Sequence, residues 1–152
     1  MNGYSEPLSG INENSMTSDC KIGSMEIFRM DAKWFGDAIP ERDRACMFVI
    51  FKISGGGVRG WSESILPCTK QTMDITHWAA VFMRLKGLSI PDAVLYAQGK
   101  NEAWGQDRMQ LALAALSDLA GTLQSRPSGP RDVDASLERS YMIGLSQAYF
   151  SF

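Results

Sequence analysis

Residues 45–64 constrain the fold most, because they are typical of two β-strands joined by a glycine turn. Residues 45–53 are almost entirely hydrophobic and rich in β-branched and aromatic side chains, which favours a strand covered on at least one face. Residues 54–57, Ser-Gly-Gly-Gly, follow directly. Because glycine reaches positive φ without a Cβ penalty, this run predicts a reversal between two antiparallel strands.

The return strand, residues 58–64, has one face with very small side chains. Strand alternation places Val58, Gly60 and Ser62 on this face, and Trp61 on the other. A face this small allows a helix or a ligand to approach the backbone closely.

The N-terminal part predicts a tail, a strand and a loop. Residues 1–21 are polar and lack a hydrophobic period, which indicates a flexible tail. Residues 22–34 alternate, with Phe28 on one face and Arg29 on the other, as in a half-buried strand. Residues 35–44 are rich in turn-forming residues and predict a loop. The three predicted strands therefore form an antiparallel meander.

The hydrophobic period becomes helical after Pro67. Capping and termination signals predict three helices, over residues 70–86, 92–98 and 102–124. The longest helix has an apolar stripe formed by Met109, Leu113, Leu116, Ala120 and Leu123. Its alanines keep part of its surface thin, so we expect it to pack close to a strand or another helix. A last helix is predicted to begin at Asp132 or Asp134.

Strands followed by helices predict an α+β fold, with a three-stranded antiparallel β-meander and then a small helical bundle. The prolines after residue 126 indicate a domain edge. The predicted parts are a tail (1–21), a folded domain (22–127) and a C-terminal extension (128–152). Residues 141–152 are too apolar for a solvated tail, so we expect them to dock on this chain or on another.

Composition argues against several classes of partner. The net charge of −2 with scattered Lys and Arg gives no electrostatic footprint for nucleic acid or an anionic membrane. No apolar run approaches the ~20 residues that span a bilayer. The three cysteines form no C-x-x-C pair, which predicts reduced thiols and a cytoplasmic protein rather than a disulfide framework or a zinc site.

Two segments carry a family resemblance. Residues 56–64, GGVRGWSES, are a glycine turn and strand, and residues 112–121, ALAALSDLAG, are a helix with Pro127 after it. Together they resemble the N-terminal capping domain of the enolase superfamily, in its mandelate racemase and muconate lactonizing branch. Ser62 stands where the family's Gly-Trp-Gly-Glu strand has its second glycine. The resemblance covers roughly residues 24–127 and implies a capping-domain fold.

The resemblance implies no catalytic residue in this chain. Family members carry their bases and Mg²⁺ ligands on a (β/α) barrel after the cap, and the 25 residues after Pro127 are far fewer than the ~200 that a barrel needs. No cofactor is expected for this chain. Binding of Mg²⁺ is expected only if a barrel-containing partner is present. By position, residues 35–44 and 62–68 resemble the cap's substrate loops. The substrate-loop candidates are Phe35, Asp37, Ile39, Glu41, Ser64 and Ile65.

The remaining reactive residues have structural interpretations. His77 lies in a predicted helix with no dyad partner in sight, so a partly exposed structural role is favoured. The acidic residues of the 35–44 loop lack the spacing of a calcium loop, and no metal site is predicted. Glu63 is expected to accept a hydrogen bond or pair with an arginine. The glycine run lacks the context of a phosphate-binding loop.

Two functions remain open at this stage. The first is a stand-alone, non-catalytic capping-type domain that acts as a binding or assembly module, with a second copy of itself (a homo-oligomer) or a barrel-containing protein as partner. The second is the lid of a split enzyme whose barrel lies on another polypeptide, with Mg²⁺-dependent racemase, cycloisomerase or dehydratase activity on carboxylates. A degenerate remnant without a role is a third interpretation. Oligomeric state and co-purifying partners distinguish them.

Overall fold

A computed structural model describes residues 18–31, 46–67, 74–125, 142–144, 146 and 148–152. The strands are β1 (Ile22–Asp31), β2 (Cys46–Gly55), β3 (Val58–Pro67) and β4 (Ala148–Ser151), in the antiparallel order β3-β2-β1-β4. The helices are α1 (Ile75–Ala79), a 3₁₀ helix (Ala80–Leu85), α2 (Ile90–Gln98), α3 (Asn101–Trp104) and α4 (Gln106–Gln124). The predicted α+β fold is confirmed.

The predicted glycine turn joins β2 to β3. Gly56 and Gly57 have φ values of 60° and 78°, and Gly55 pairs with Val58 across the turn. Positive φ at both turn residues matches the right-handed twist of the strands, which explains the choice of glycine. The meander of β1, β2 and β3 is therefore as predicted.

A fourth strand extends the predicted meander. β4 pairs antiparallel with β1, placing Ala148 opposite Arg29 and Tyr149 opposite Phe28. Just beyond it, Met25 and Phe152 exchange backbone hydrogen bonds of 2.8 and 2.9 Å. The apolar C-terminus thus docks on this chain, one of the two possibilities that the sequence allowed. The division into tail, domain and extension stays a prediction.

The core lies between one face of the sheet and the helices. Phe51 of β2 stacks on Phe82, with 4.7 Å between ring centroids, and Trp104 meets Phe82 edge to face at 5.5 Å. Helix α4 packs across β3 and β2. Its buried residues are Leu111, Ala112, Ala115, Leu116, Leu119 and Leu123.

The first strand is more buried than predicted. Met25 and Ile27 face the helices, while Phe28 and Met30 lie on the opposite face, and all four are buried. The alternation was correct, but the expected half-burial was wrong. The face predicted to be polar, which carries Arg29, also carries Met25 and Ile27 and faces the helices, while residues from β3 and β4 cover Phe28 on the other face.

The helix boundaries also differ from prediction. In the described part of the first predicted helix, Asp74 is the N-cap and accepts from the N–H groups of Thr76 and His77, so α1 begins at Ile75. Gly105, with φ of 86°, separates α3 from α4 and divides the predicted 102–124 helix. The predicted stripe was partly correct. Leu116 and Leu123 are buried, whereas Met109, Leu113 and Ala120 are half-buried.

Two other predicted elements cannot be compared with the structure. The 35–44 loop and the helix starting at Asp132 or Asp134 lie outside the described residues. Within the described residues, no helix combines the length and the hydropathy that crossing a bilayer demands.

We predict that Gly60→Ala destabilises the fold severely. A Cβ at this position would lie 2.4 Å from the Ala115 carbonyl oxygen and 2.4 Å from the Leu119 backbone nitrogen. Because both are backbone atoms of one helix, relief requires moving α4, and we expect a loss of ~3 kcal/mol or more in the free energy of unfolding. Urea denaturation measures it.

Gly121→Ala is the matched control. A Cβ there would meet nothing within 4 Å, and the residue lies inside α4. The substitution should therefore stabilise the protein by ~0.5–1 kcal/mol through helix propensity. Equal effects of the two substitutions would contradict the close approach at Gly60.

Candidate functional site

An open groove of about 630 Å³ lies between β3 and the solvent-exposed side of α4. Trp61 of β3 lies on one side of the groove, and short side chains of the helix lie on the other. The lining residues are Trp61, Ala114, Ser117, Asp118, Gly121, Thr122 and Ser125. The groove is open to solvent, and Asp118 contributes the one charge among its lining residues.

Helix α4 also protects the outer edge of the sheet. Because Val58 pairs with Gly55 across the tight turn, the odd-numbered residues of β3 point their backbone groups away from β2. The outward N–H of Trp61 donates to Asp118 Oδ2 at 2.8 Å, and Ser62 Oγ donates to the Leu111 carbonyl at 2.6 Å. This part of the edge is therefore closed to pairing with another strand.

The Trp61 ring packs against two side chains of the neighbouring strands. It stacks on Phe28 with 6.2 Å between centroids and an interplanar angle of 24°. Lys52 Nζ lies 5.3 Å from the centroid of the same ring, within the range of a cation–π interaction. Trp61 is half-buried, and its ring is fixed on the sheet face that carries Phe28 and Lys52.

A buried ionic cluster lies behind Trp61. Glu26 and Lys52 are directly opposite each other on β1 and β2, with exposed fractions of 7% and 4%. Lys52 Nζ donates to Glu26 Oε1 at 3.1 Å, and the Tyr149 hydroxyl donates to Glu26 Oε2. Both carboxylate oxygens thus accept hydrogen bonds, and the charge is matched inside the fold. This favours a structural role over proton transfer.

Sequence reasoning missed this cluster, although a signal was present. Lys52 is the one charged residue in the apolar stretch 45–53, and Glu26 lies between Met25 and Ile27. A charge in the middle of a predicted buried strand requires a partner. The identity of that partner depended on the register between β1 and β2.

The structure places two of the predicted substrate-loop candidates, and both are in a strand. Ser64 and Ile65 belong to β3, which continues to Pro67, so the expected loop at 62–68 was wrong up to that residue. Ile65 is 61% exposed, on the same strand face as Trp61 but about 13 Å further along. Phe35, Asp37, Ile39 and Glu41 lie outside the described residues. Substrate contact by these six residues stays a prediction.

Other reactive side chains lie apart from the groove. His77 is exposed in the first turn of α1, and Glu63 is exposed, without the hydrogen bond or arginine partner predicted for it among the described residues. Cys20 is buried, and desolvation raises the pKa of its thiol. In the described part of the chain, no three His, Cys, Asp or Glu side chains are grouped so as to hold a metal ion.

Comparisons with known proteins do not establish a family for this chain. No protein-family model matches the chain, and no curated protein matches it at a significant level. Among solved structures, it is similar to a protein named as a mandelate racemase/muconate lactonizing enzyme from Pseudovibrio sp., with 17% identity and a TM-score of 0.40. The match covers 70% of this chain and 30% of that one. Values this low do not establish a shared family.

We predict that Lys52→Met lowers the free energy of unfolding by ~3–5 kcal/mol, because it leaves a buried carboxylate without its cation. The triple variant Glu26→Leu, Lys52→Met, Tyr149→Phe should recover most of this loss, since apolar side chains of similar volume replace the whole cluster. Urea denaturation measures all variants.

Lys100→Met serves as the control. Lys100 Nζ lies 5.0 Å from the Tyr96 ring centroid in a half-exposed position. Its removal should cost only ~0.5–1 kcal/mol, the value of an exposed cation–π interaction. A Lys52→Met loss no greater than this would mean that the ion pair is solvated.

Proposed function

We propose that this chain is a binding or assembly module without catalytic activity of its own. In this proposal the groove beside Trp61 docks a protein surface, either a second copy of the chain or a barrel-containing partner. The openness of the groove carries the proposal. Sites for small molecules are concave and enclose most of the ligand, whereas an open groove suits a macromolecular surface.

The lining of the groove supports protein docking. Tryptophan is enriched among the residues that dominate binding energy at protein interfaces. Because Phe28 and Lys52 already hold the Trp61 ring, docking costs little side-chain entropy. Ser117 and Asp118 line the same groove and can form the polar rim that such interfaces have.

The second candidate function is the lid of a split enzyme. It is favoured by the packing of the two segments that resemble the capping domain, since Gly60 of the first touches Ala115 and Leu119 of the second. The chemistry would then belong to a barrel-containing partner, with Mg²⁺-dependent proton abstraction next to a carboxylate. Turnover of a carboxylic acid on adding such a partner and Mg²⁺ supports this function, and turnover by the isolated chain would overturn the non-catalytic proposal.

We predict that Ser117→Arg weakens association at least tenfold. Ser117 is exposed within the groove, so an arginine there occupies the space of the partner without disturbing the core. Gln110→Arg adds the same charge at an exposed position of α4 outside the groove lining and should leave association unchanged. Multi-angle light scattering over a range of concentrations measures self-association, and co-purification at fixed stoichiometry measures binding of a barrel-containing partner.

The proposal is contradicted by a chain that remains monomeric at every concentration and retains no stoichiometric partner. Association that Ser117→Arg and Gln110→Arg leave equally strong would assign it to another surface.

A further inference from the structure

We infer that two copies of this chain pair the outer edges of their β3 strands, antiparallel and about a two-fold axis at Ser64. The inference rests on the proposed assembly function and names a second copy as the partner. The surface is the edge of β3 from Glu63 to Pro67, which follows the groove residue Trp61 on the same strand.

The outer edge of β3 is open at Glu63 and Ile65. The odd-numbered residues of this strand point their backbone groups away from β2. The outward N–H and C=O groups of Glu63 and Ile65 have no hydrogen-bond partner among the described residues. An edge with such groups can pair with another strand through its backbone. The β1 edge differs, because β4 of the same chain already pairs with it.

Two residues limit this open part of the edge at its ends. The outward N–H of Trp61 already donates to Asp118 Oδ2 at 2.8 Å. Pro67, the last residue of β3, has no N–H to donate. Between these limits, only the N–H groups of Glu63 and Ile65 are available to a second strand.

A two-fold pairing satisfies both limits in one register. In this register Glu63 of each copy lies opposite Ile65 of the other, and each of the four N–H groups meets a C=O group. The two limiting residues, Trp61 and Pro67, then lie opposite each other, so neither faces an open residue. A shift of two residues in either direction sets Trp61 or Pro67 against an open residue and loses hydrogen bonds. The edge of β3 is therefore complementary to itself.

The side chains agree with this register. Ser64 lies on the axis opposite Ser64 of the second copy, where a short side chain suits the ~4.5 Å between Cα atoms of such a pair. Glu63 does not lie opposite Glu63 of the second copy, so like charges do not face each other directly. Ile65 is 61% exposed in the single chain, and its diagonal neighbour across the axis is Ile65 of the second copy. Pairing therefore removes apolar surface from water.

The same register brings the second copy to the groove. Pro67 of the second copy lies opposite Trp61, which is a lining residue of the groove. The edge and the groove therefore belong to one continuous surface along β3. The pairing thus assigns the partner of this surface to a second copy of the chain.

The first experiment forms a disulfide at the axis. Because the facing Cα atoms are ~4.5 Å apart, within the span of a disulfide, Ser64→Cys should cross-link the two copies. Glu63→Cys is the matched control, since diagonal Cα atoms lie ~7–8 Å apart, beyond that span. Both are made in a Cys46→Ser, Cys68→Ser chain and followed by non-reducing electrophoresis during mild oxidation. We expect Ser64→Cys to cross-link at least about tenfold faster.

The second experiment removes a backbone donor. Ile65→Pro deletes an outward N–H, and proline is tolerated on an edge strand where the N–H faces away from the sheet, so the single chain should stay folded. We expect its dimer dissociation constant to rise at least about tenfold, measured by analytical ultracentrifugation. Ile65→Thr keeps the N–H and a β-branched side chain and should raise this constant about threefold or less. Equal effects of the two substitutions would overturn backbone pairing, and the cross-linking result decides if Ile65→Pro does not fold.

The outcomes separate this inference from the proposed function. A dimer that cross-links no faster through Ser64→Cys than through Glu63→Cys overturns the β3 pairing, and Ser117→Arg then tests the groove by itself. A chain that is monomeric at all concentrations also overturns the pairing, and retention of a barrel-containing partner then tests the groove. Fast cross-linking through Ser64→Cys, together with dissociation by Ile65→Pro, supports the pairing.

Discussion

The absence of a side chain at Gly60 is the constraint on which the rest of the structure depends. It lets the backbone of α4 approach β3 so closely that Ala115 and Leu119 occupy the space of a Cβ. This approach brings Asp118 to the Trp61 N–H and Leu111 to the Ser62 hydroxyl. One close approach therefore sets the core between sheet and helix, closes the sheet edge and forms the groove.

The opposite face of the sheet is organised by charge rather than by close packing. The Glu26 and Lys52 pair crosses two strands, Trp61 covers the lysine, and Tyr149 attaches the last strand to the carboxylate. A buried pair of this kind adds little net stability, but it penalises any other register, since a shift would leave a charge unpaired. It connects Trp61 of β3 with the strand that pairs with β1 at the other end of the sheet.

Sequence patterns predicted local features well where one residue type dictates the geometry. The turn at Gly56 and Gly57 and the small face at Gly60 followed from the lack of a Cβ. The prediction of one continuous helix over residues 102–124 was wrong, because Gly105 adopts positive φ and interrupts the helix. The predicted apolar stripe of α4 was only partly correct, because close approach to β3 buries Ala112 and Ala115 in place of larger side chains.

The sequence by itself determined the strand order of the meander, the glycine turn and the α+β class, because alternation, glycine content and helical period act over a few residues. Only the tertiary structure decided that β4 completes the sheet, that Glu26 meets Lys52 and Tyr149, and that Trp61 lines a groove together with α4. These pairings join residues up to 123 positions apart. They depend on register and packing across the whole sheet, which no local pattern encodes.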